Sequence, residues 1–208
     1  MQEETTISLT DRIYRDLLNK LQNNELVPGT IIDRKALAAE YNVSMAPIRD
    51  ALQRLSLEGF VETKSRSATI VKAIQKEDVF GILVMREALE LQVTRMVCGA
   101  MVRENKDMLM LLAEKVDACS RILDYWSCDV DFHRNLVMLC DCKLLINTYN
   151  QIMNIGNFYQ INNFLVNLDP SSRASHTALV EQLCSDDVSA AEAAIRNHLQ
   201  SGKSMLNR

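Results

Sequence analysis

The sequence predicts a mainly α fold built from two functional parts. Only 6 Gly and 3 Pro occur in 208 residues, too few turn formers for a sandwich or barrel of many short strands. Hydrophobic residues make up 48% and charged residues 24%, the balance of a chain with a real core, which excludes a disordered one. Apolar residues recur at helical spacing along most of the length, and that length suits one large domain or two small ones.

In the first third, the stretch 9–23 sets Ile13, Leu17 and Leu21 on one helical stripe with Leu18 beside it, and Thr10 reads as the N-cap. Pro28-Gly29 makes a turn. Asp33 caps a short helix, RKALAAEY, that Asn42 closes; Ser44 caps the next, MAPIRDALQRLSL, which Gly59 ends. Pro47 falls in the first turn, where amides lack intrahelical partners anyway. The period then changes, and 60–63 and 68–71 read as two short strands joined by Lys64-Ser65-Arg66-Ser67.

Helix, short helix, tight turn, longer helix and hairpin is the order of a winged helix-turn-helix. Ile48, Leu52 and Leu55 share the face of the third helix that packs inward, which leaves Ser44, Met45, Ala46, Arg49 and Gln53 toward solvent, where such a helix reads base edges. Arg34 and Lys35, at a helix start, are placed to grip phosphates, and Arg66 at the hairpin tip to reach the backbone or minor groove. Taken singly, Arg34, Arg49 and Arg66 also suit a solvated surface. Charge does not decide the matter. Residues 1–72 hold 10 basic and 10 acidic side chains, and the net charge of −4 lies entirely beyond them.

Residues 77–208 read as helices throughout: about 77–103, 106–126, 127–140 and 143–166, a fifth started by Asp169-Pro170, and a sixth from Asp187 to about Ser201. Met85, Met96, Met101, Met108 and Met110 read as core filler. The six cysteines include no Cys-x-x-Cys, and they read as reduced, mostly buried small hydrophobes. No apolar run approaches the roughly 20 residues that span a bilayer. The opening MQEETTISLT is neither a signal nor a transit peptide, so a cytoplasmic chain with no membrane partner is expected.

All three histidines lie in this part. Asp129 and His133 are spaced i, i+4 and share a helical face; Asp131 lies on another. His176 and His198 fall on the last two helices, which a short turn near 185–187 would bring side by side. One carboxylate and three imidazoles from three helices make a candidate metal site inside a bundle. The donor set suits Zn or Ni first, with Mn, Fe or Co also compatible. Each histidine taken alone fits an ordinary core or surface position better than a ligand position.

Two resemblances sharpen this reading. The stretch LVPGTIIDRKALAAEYNVSMAPIRDALQRLSLEGFVE resembles the DNA-binding domain of GntR-type bacterial transcription regulators. Met45 departs from the arginine usual in that family, and Ser67 from the usual wing glycine. The loss of one arginine removes a possible guanine contact of about 1–3 kcal/mol. Asp129-Val-Asp-Phe-His133-Arg-Asn-Leu and the later His176…His198 stretch resemble the FCD ligand-binding domain of the FadR-like subfamily. In metal-binding members these Asp and His positions are the ligands.

The resemblance implies a winged helix-turn-helix at 1–72, a linker at 73–78 and an all-helical effector-binding, metal-binding and dimerisation domain at 79–208. The expected protein is a homodimeric transcription regulator on a palindromic DNA operator, with a small carboxylate effector over the metal and no enzymatic activity. Arg86 is the candidate to hold that carboxylate, with Asn154, Asn157 and Tyr159 lining the pocket. Two alternatives stay open: a metal-dependent hydrolase, against which stand the missing HExxH pattern and the lack of a Glu placed to act as general base beside the ligands, and a regulator with a purely structural metal.

Overall fold

The computed structural model describes residues 8–64, 68–73, 75–158 and 173–201. The chain divides into two compact units, residues 1–75 with 157–159 and residues 76–156 with 160–208.

The first unit contains α1 (Leu9–Gln22), β1 (Ile31–Ile32), α2 (Arg34–Glu40), α3 (Met45–Leu57), β2 (Val61–Thr63) and β3 (Thr69–Val71). Ser8, not Thr10, caps α1: its backbone is extended and its hydroxyl accepts from the Asp11 N–H, whereas Thr10 is already helical. Asp33 caps α2 by accepting from the Lys35 and Ala36 amides. Asn42 leaves that helix at φ 51°, and Gly59 leaves α3 at φ 89°. Ser44 occupies the N-cap position of α3 without a side-chain capping bond. The sheet is antiparallel in the order β1-β3-β2, with Ile31 opposite Ile70 and Glu62 opposite Ile70 on the other side. β1 has no counterpart in the sequence reading, because two residues are too few to display a period. Ile13, Leu17, Leu21, Ile48, Leu55 and Phe60 make the core beneath it.

The second unit is helical: α4 (Lys76–Val97), α5 (Ala100–Glu104), α6 (Lys106–Asp117), α7 (Ile122–Met138), α8 (Lys143–Phe158), α9 (His176–Leu183) and α10 (Val188–Gln200). α9 packs on α6, and α10 packs on α4 and α9. The single helix expected over 77–103 breaks at Gly99, whose φ of 80° and ψ of −120° no helix accommodates, and whose N–H donates to the Leu183 carbonyl at 2.9 Å. The helix expected to reach Trp126 stops at Asp117, whose carboxylate accepts the His176 and Thr177 amides at 2.8 and 3.1 Å. α7 therefore begins at Ile122, five residues before the expected Ser127. The expected start at Asp169-Pro170 lies outside the described residues; α9 is capped by Ser175, whose hydroxyl accepts from the Ala178 N–H. α10 is capped by Asp187 as expected.

Two further expectations are corrected. Met85, Met96, Met101 and Met108 are exposed on helix faces turned to solvent, and Met110 is half-buried. A stripe on one helix does not reveal which side the bundle covers. The six cysteines are free thiols, and every one is half-buried rather than sealed in the core.

Gly99 gives this unit a direct test. A side chain there would have to adopt a backbone conformation that L-residues rarely accept, and its Cβ would meet the Asp186 carboxylate. Gly99→Ala should cost about 1–3 kcal/mol, read as a lower urea midpoint. An unchanged midpoint would show that the helix break relaxes freely.

Candidate functional site

The second unit has a polar centre. Asp129 and His133 project from one face of α7, His176 opens α9 and His198 lies in the last turn of α10. All four are buried, and one donor atom from each falls within 4.8 Å of the others. His176 Nε2 stands 3.2 Å from Asp129 Oδ1 and 3.2 Å from His198 Nε2, and His133 Nε2 stands 3.6 Å from Asp129 Oδ1. Asp131, the rival carboxylate, is exposed.

The far sides of two imidazoles are held by carboxylates. His133 Nδ1 lies 2.6 Å from Glu90 Oε2, and His176 Nδ1 lies 3.1 Å from Asp117 Oδ1. Burial lowers the His133 pKa despite Glu90, so this ring is neutral, donates Nδ1–H to Glu90 and directs an Nε2 lone pair inward. That buried nitrogen has no hydrogen-bond partner. His176 behaves differently: burial opposes its charge, but bonds to Asp117 and Asp129 prevail and raise its pKa, so a proton there does part of what a metal cation would do.

The charges fit such a cation. Arg86 on α4 is fully buried, 2.8 Å from Glu90 Oε1 and 2.9 Å from Asp129 Oδ2. Burial alone would raise both carboxyls, yet Arg86 and His133 hold Asp129 well below its usual range, and His133 and Arg86 bring Glu90 down to about 2. With neutral imidazoles, Arg86 leaves one negative charge uncompensated between Glu90 and Asp129, and half-buried Asp117 adds a second. A divalent cation would bring this sum to zero. An inward lone pair without a partner, ligand imidazoles oriented by carboxylates and a matching charge deficit make the residues present a fit for a metal.

Glu90, Asp117 and Tyr149, whose hydroxyl donates to Glu90 Oε1 at 3.0 Å, were not singled out from the sequence. Only the i, i+4 pair Arg86/Glu90 offered a signal. Glu90 is a Glu beside the ligands, but not one placed to act as general base. Held near 2 and bound to Arg86, His133 and Tyr149, it is poorly suited to be a general base. Arg86, read as an effector contact, faces Glu90 and Asp129, while its Nη1 lacks a hydrogen-bond partner. Asn154 and Asn157 are half-buried on α8; Tyr159 lies outside the described residues.

On the first unit, Ser44, Met45, Ala46, Arg49 and Gln53 are exposed along the start and outer face of α3, and Lys35 is exposed on α2. Arg34, Arg49, Gln53 and Thr63 border a cleft of about 280 Å³. The Arg34 guanidinium donates to Thr69 Oγ1 at 2.7 and 3.0 Å, tying α2 to β3. Arg66 lies outside the described residues.

Residues 9–71 match the model of the bacterial regulatory proteins of the gntR family, and residues 81–201 match that of the FCD domain. The chain belongs to the gntR family and carries an FCD domain. It is thus a DNA-binding transcription regulator, and the mainly α fold of winged helix-turn-helix plus FCD bundle stands as expected. It is similar to the HTH-type transcriptional repressor RspR of Escherichia coli, 25% identical over 96% of this chain and 89% of that one. A gluconate operon transcriptional repressor of Bacillus licheniformis is 26% identical over 68% of this chain and 59% of its own. Among solved structures, E. coli McbR/YncC has a TM-score of 0.67 at 19% identity, covering 97% and 98% of the two chains. A putative GntR regulator from Rhodococcus sp. RHA1 reaches 0.67 at 16%, covering 95% and 97%. No helix among the described residues is long and apolar enough to cross a membrane.

The network makes stability depend on pH without any metal. Glu90 titrates at about 2 in the fold against an ordinary 4.5, so its stabilisation is complete above about 4.5 and is lost as pH falls toward 2. The shifts of His133 and His176 have opposite signs and partly cancel at higher pH. The melting temperature of chelator-treated protein should therefore fall below about pH 4.5, and Glu90→Gln should flatten that fall. A melting temperature constant down to pH 3 would contradict the assignment.

Proposed function

We propose that this regulator binds its operator as a homodimer, and that a small carboxylate held over a divalent metal in the FCD domain sets its affinity. Residues 1–72 would read DNA, 73–78 connect, and 79–208 bind metal and effector and dimerise. The observation that carries the metal reading is the convergence of Asp129, His133, His176 and His198 within 4.8 Å in a buried site. Zn or Ni matches one carboxylate and three imidazoles best, and Mn, Fe or Co also suits them. When bound, the cation supplies an electrophilic anchor for an anionic group. Asp129 and the three imidazoles would hold it, with Glu90 and Asp117 keeping two of the rings in orientation.

The carboxylate reading is supported by Arg86. A buried guanidinium nitrogen without an acceptor costs about 1–3 kcal/mol, and Nη1 would gain one from an anionic ligand. The relative named for a gluconate operon is consistent, since gluconate is a carboxylate. Asn154, Asn157 and Tyr159 remain candidates to line the pocket. Dimerisation is supported by operator symmetry and by Val84, Met85 and Met96, exposed apolar side chains on α4. A cytoplasmic location follows from work on DNA.

For DNA reading, the free face of α3 supports Ser44, Met45, Ala46, Arg49 and Gln53 at the bases, with Arg34, Lys35 and Arg66 at phosphates. Arg49→Ala should lose about 1–3 kcal/mol of operator affinity and relax sequence preference. Lys35→Ala should weaken all sequences alike and reduce the salt slope. A gel shift at fixed salt in which Arg49→Ala binds normally would remove Arg49 from the reading face.

For the metal, elemental analysis of protein purified without chelator should find a divalent ion, and His198→Ala should lose both the ion and part of the melting temperature. Absence of metal as purified and after reconstitution would overturn the site.

A purely structural cation is the second reading, favoured by the complete burial of His133 and His176. A small carboxylate from a screened library should change operator affinity about 5–150-fold, and only in metal-loaded protein. Equal regulation in Asp129→Ala/His133→Ala protein would select the structural reading.

A further inference from the structure

We propose that Cys119 and Cys128 form a peroxide-sensitive dithiol that closes to an intramolecular disulfide across the α6–α7 corner. Their sulfurs lie 3.6 Å apart, and no other pair of the six thiols is in such contact among the described residues. Both side chains are half-buried. Cys119 borders an open cavity of about 370 Å³, shared with Asp117, Tyr125 and Arg173, which admits a small oxidant. The S–H of Cys119 is shared between the Lys115 carbonyl at 3.2 Å and Cys128 Sγ at 3.6 Å, weak bonds that a change of rotamer gives up. Closure to the roughly 2.05 Å of a disulfide is a side-chain movement of about 1.5 Å.

The chemistry balances with a hydroperoxide as the oxidant. One sulfur attacks the peroxide: an S–O bond forms, the O–O bond breaks, and the displaced oxygen leaves as an alcohol, or as water from hydrogen peroxide. The second sulfur then attacks the sulfenic sulfur, forming the S–S bond and expelling hydroxide, which takes the remaining thiol proton and departs as water. Two thiols lose two electrons and two protons, and one peroxide is reduced.

The position gives the bond a consequence. Cys119 follows Asp117, which accepts the first amides of α9 and holds His176, by two residues, and Cys128 directly precedes Asp129. A disulfide would fasten the segment between these two carboxylates.

The test uses the reduced full-length chain and hydrogen peroxide. Free thiols should fall from six to four, the intact mass should drop by two hydrogens, and one cross-linked peptide should carry both residues. Dithiothreitol should reverse the change, and Cys119→Ser and Cys128→Ser should each abolish it. Should either variant fail to fold, the cross-linked peptide from the unaltered chain decides alone. An unchanged thiol count, a bridge to another cysteine or a second chain, or sulfinic acid accumulating without a cross-link would overturn the proposal.

Discussion

A carboxylate removed from water is costly unless its lone pairs and charge are met within the protein, and Glu90 is such a carboxylate at the centre of the FCD bundle. It is met from three helices: Arg86 on its own α4, His133 on α7 and Tyr149 on α8. Each partner is buried; without Glu90, His133 Nδ1 and the Tyr149 hydroxyl would lose their acceptor and Arg86 would keep only Asp129. The arrangement is unlike an oily core in which one methyl group replaces another. It prescribes the rotation of α4 about its axis, the register of α7 against it and the depth of α8. Asp117 plays the corresponding part on the other side, meeting the α9 amides and His176 with the same two oxygens.

That polar centre also explains which parts of the bundle were legible in the sequence. Asp129 and His133 announce themselves by spacing within one helix, His176 and His198 by their scarcity, and the helix of His198 also by its cap at Asp187. Glu90, Asp117 and Tyr149 do not, because nothing local links them to partners 43 to 59 residues away. Helix α4 misleads for the same reason. Its covered face carries Arg86, Glu90 and Thr94 among Val79, Leu83 and Val97, while Val84, Met85 and Met96 face outward. A rule that sends apolar residues inward therefore draws the wrong stripe.

The first unit was more legible because its boundaries are local chemistry. Asp33, Asn42 and Gly59 start or stop helices through bonds and dihedral angles within a few residues of themselves. What escaped was long-range: β1, which exists only because Ile31 and Ile32 find β3, and the bond from Arg34 to Thr69. That bond joins the helix-turn-helix to its wing, so the side chain read as a phosphate grip also keeps the two parts in register.

The order in which the site residues occur along the chain has a consequence for synthesis. The winged helix-turn-helix elements all lie before Lys76, and they can fold while the rest is still being made. The bundle's polar centre begins at Arg86 and is not complete until His198, near the far end. Throughout that interval a nascent chain has a finished winged helix-turn-helix and an unfinished bundle, with Glu90 and Asp129 still awaiting imidazoles. A message cut short after α9 would encode the whole winged helix-turn-helix beside a polar centre that lacks His198.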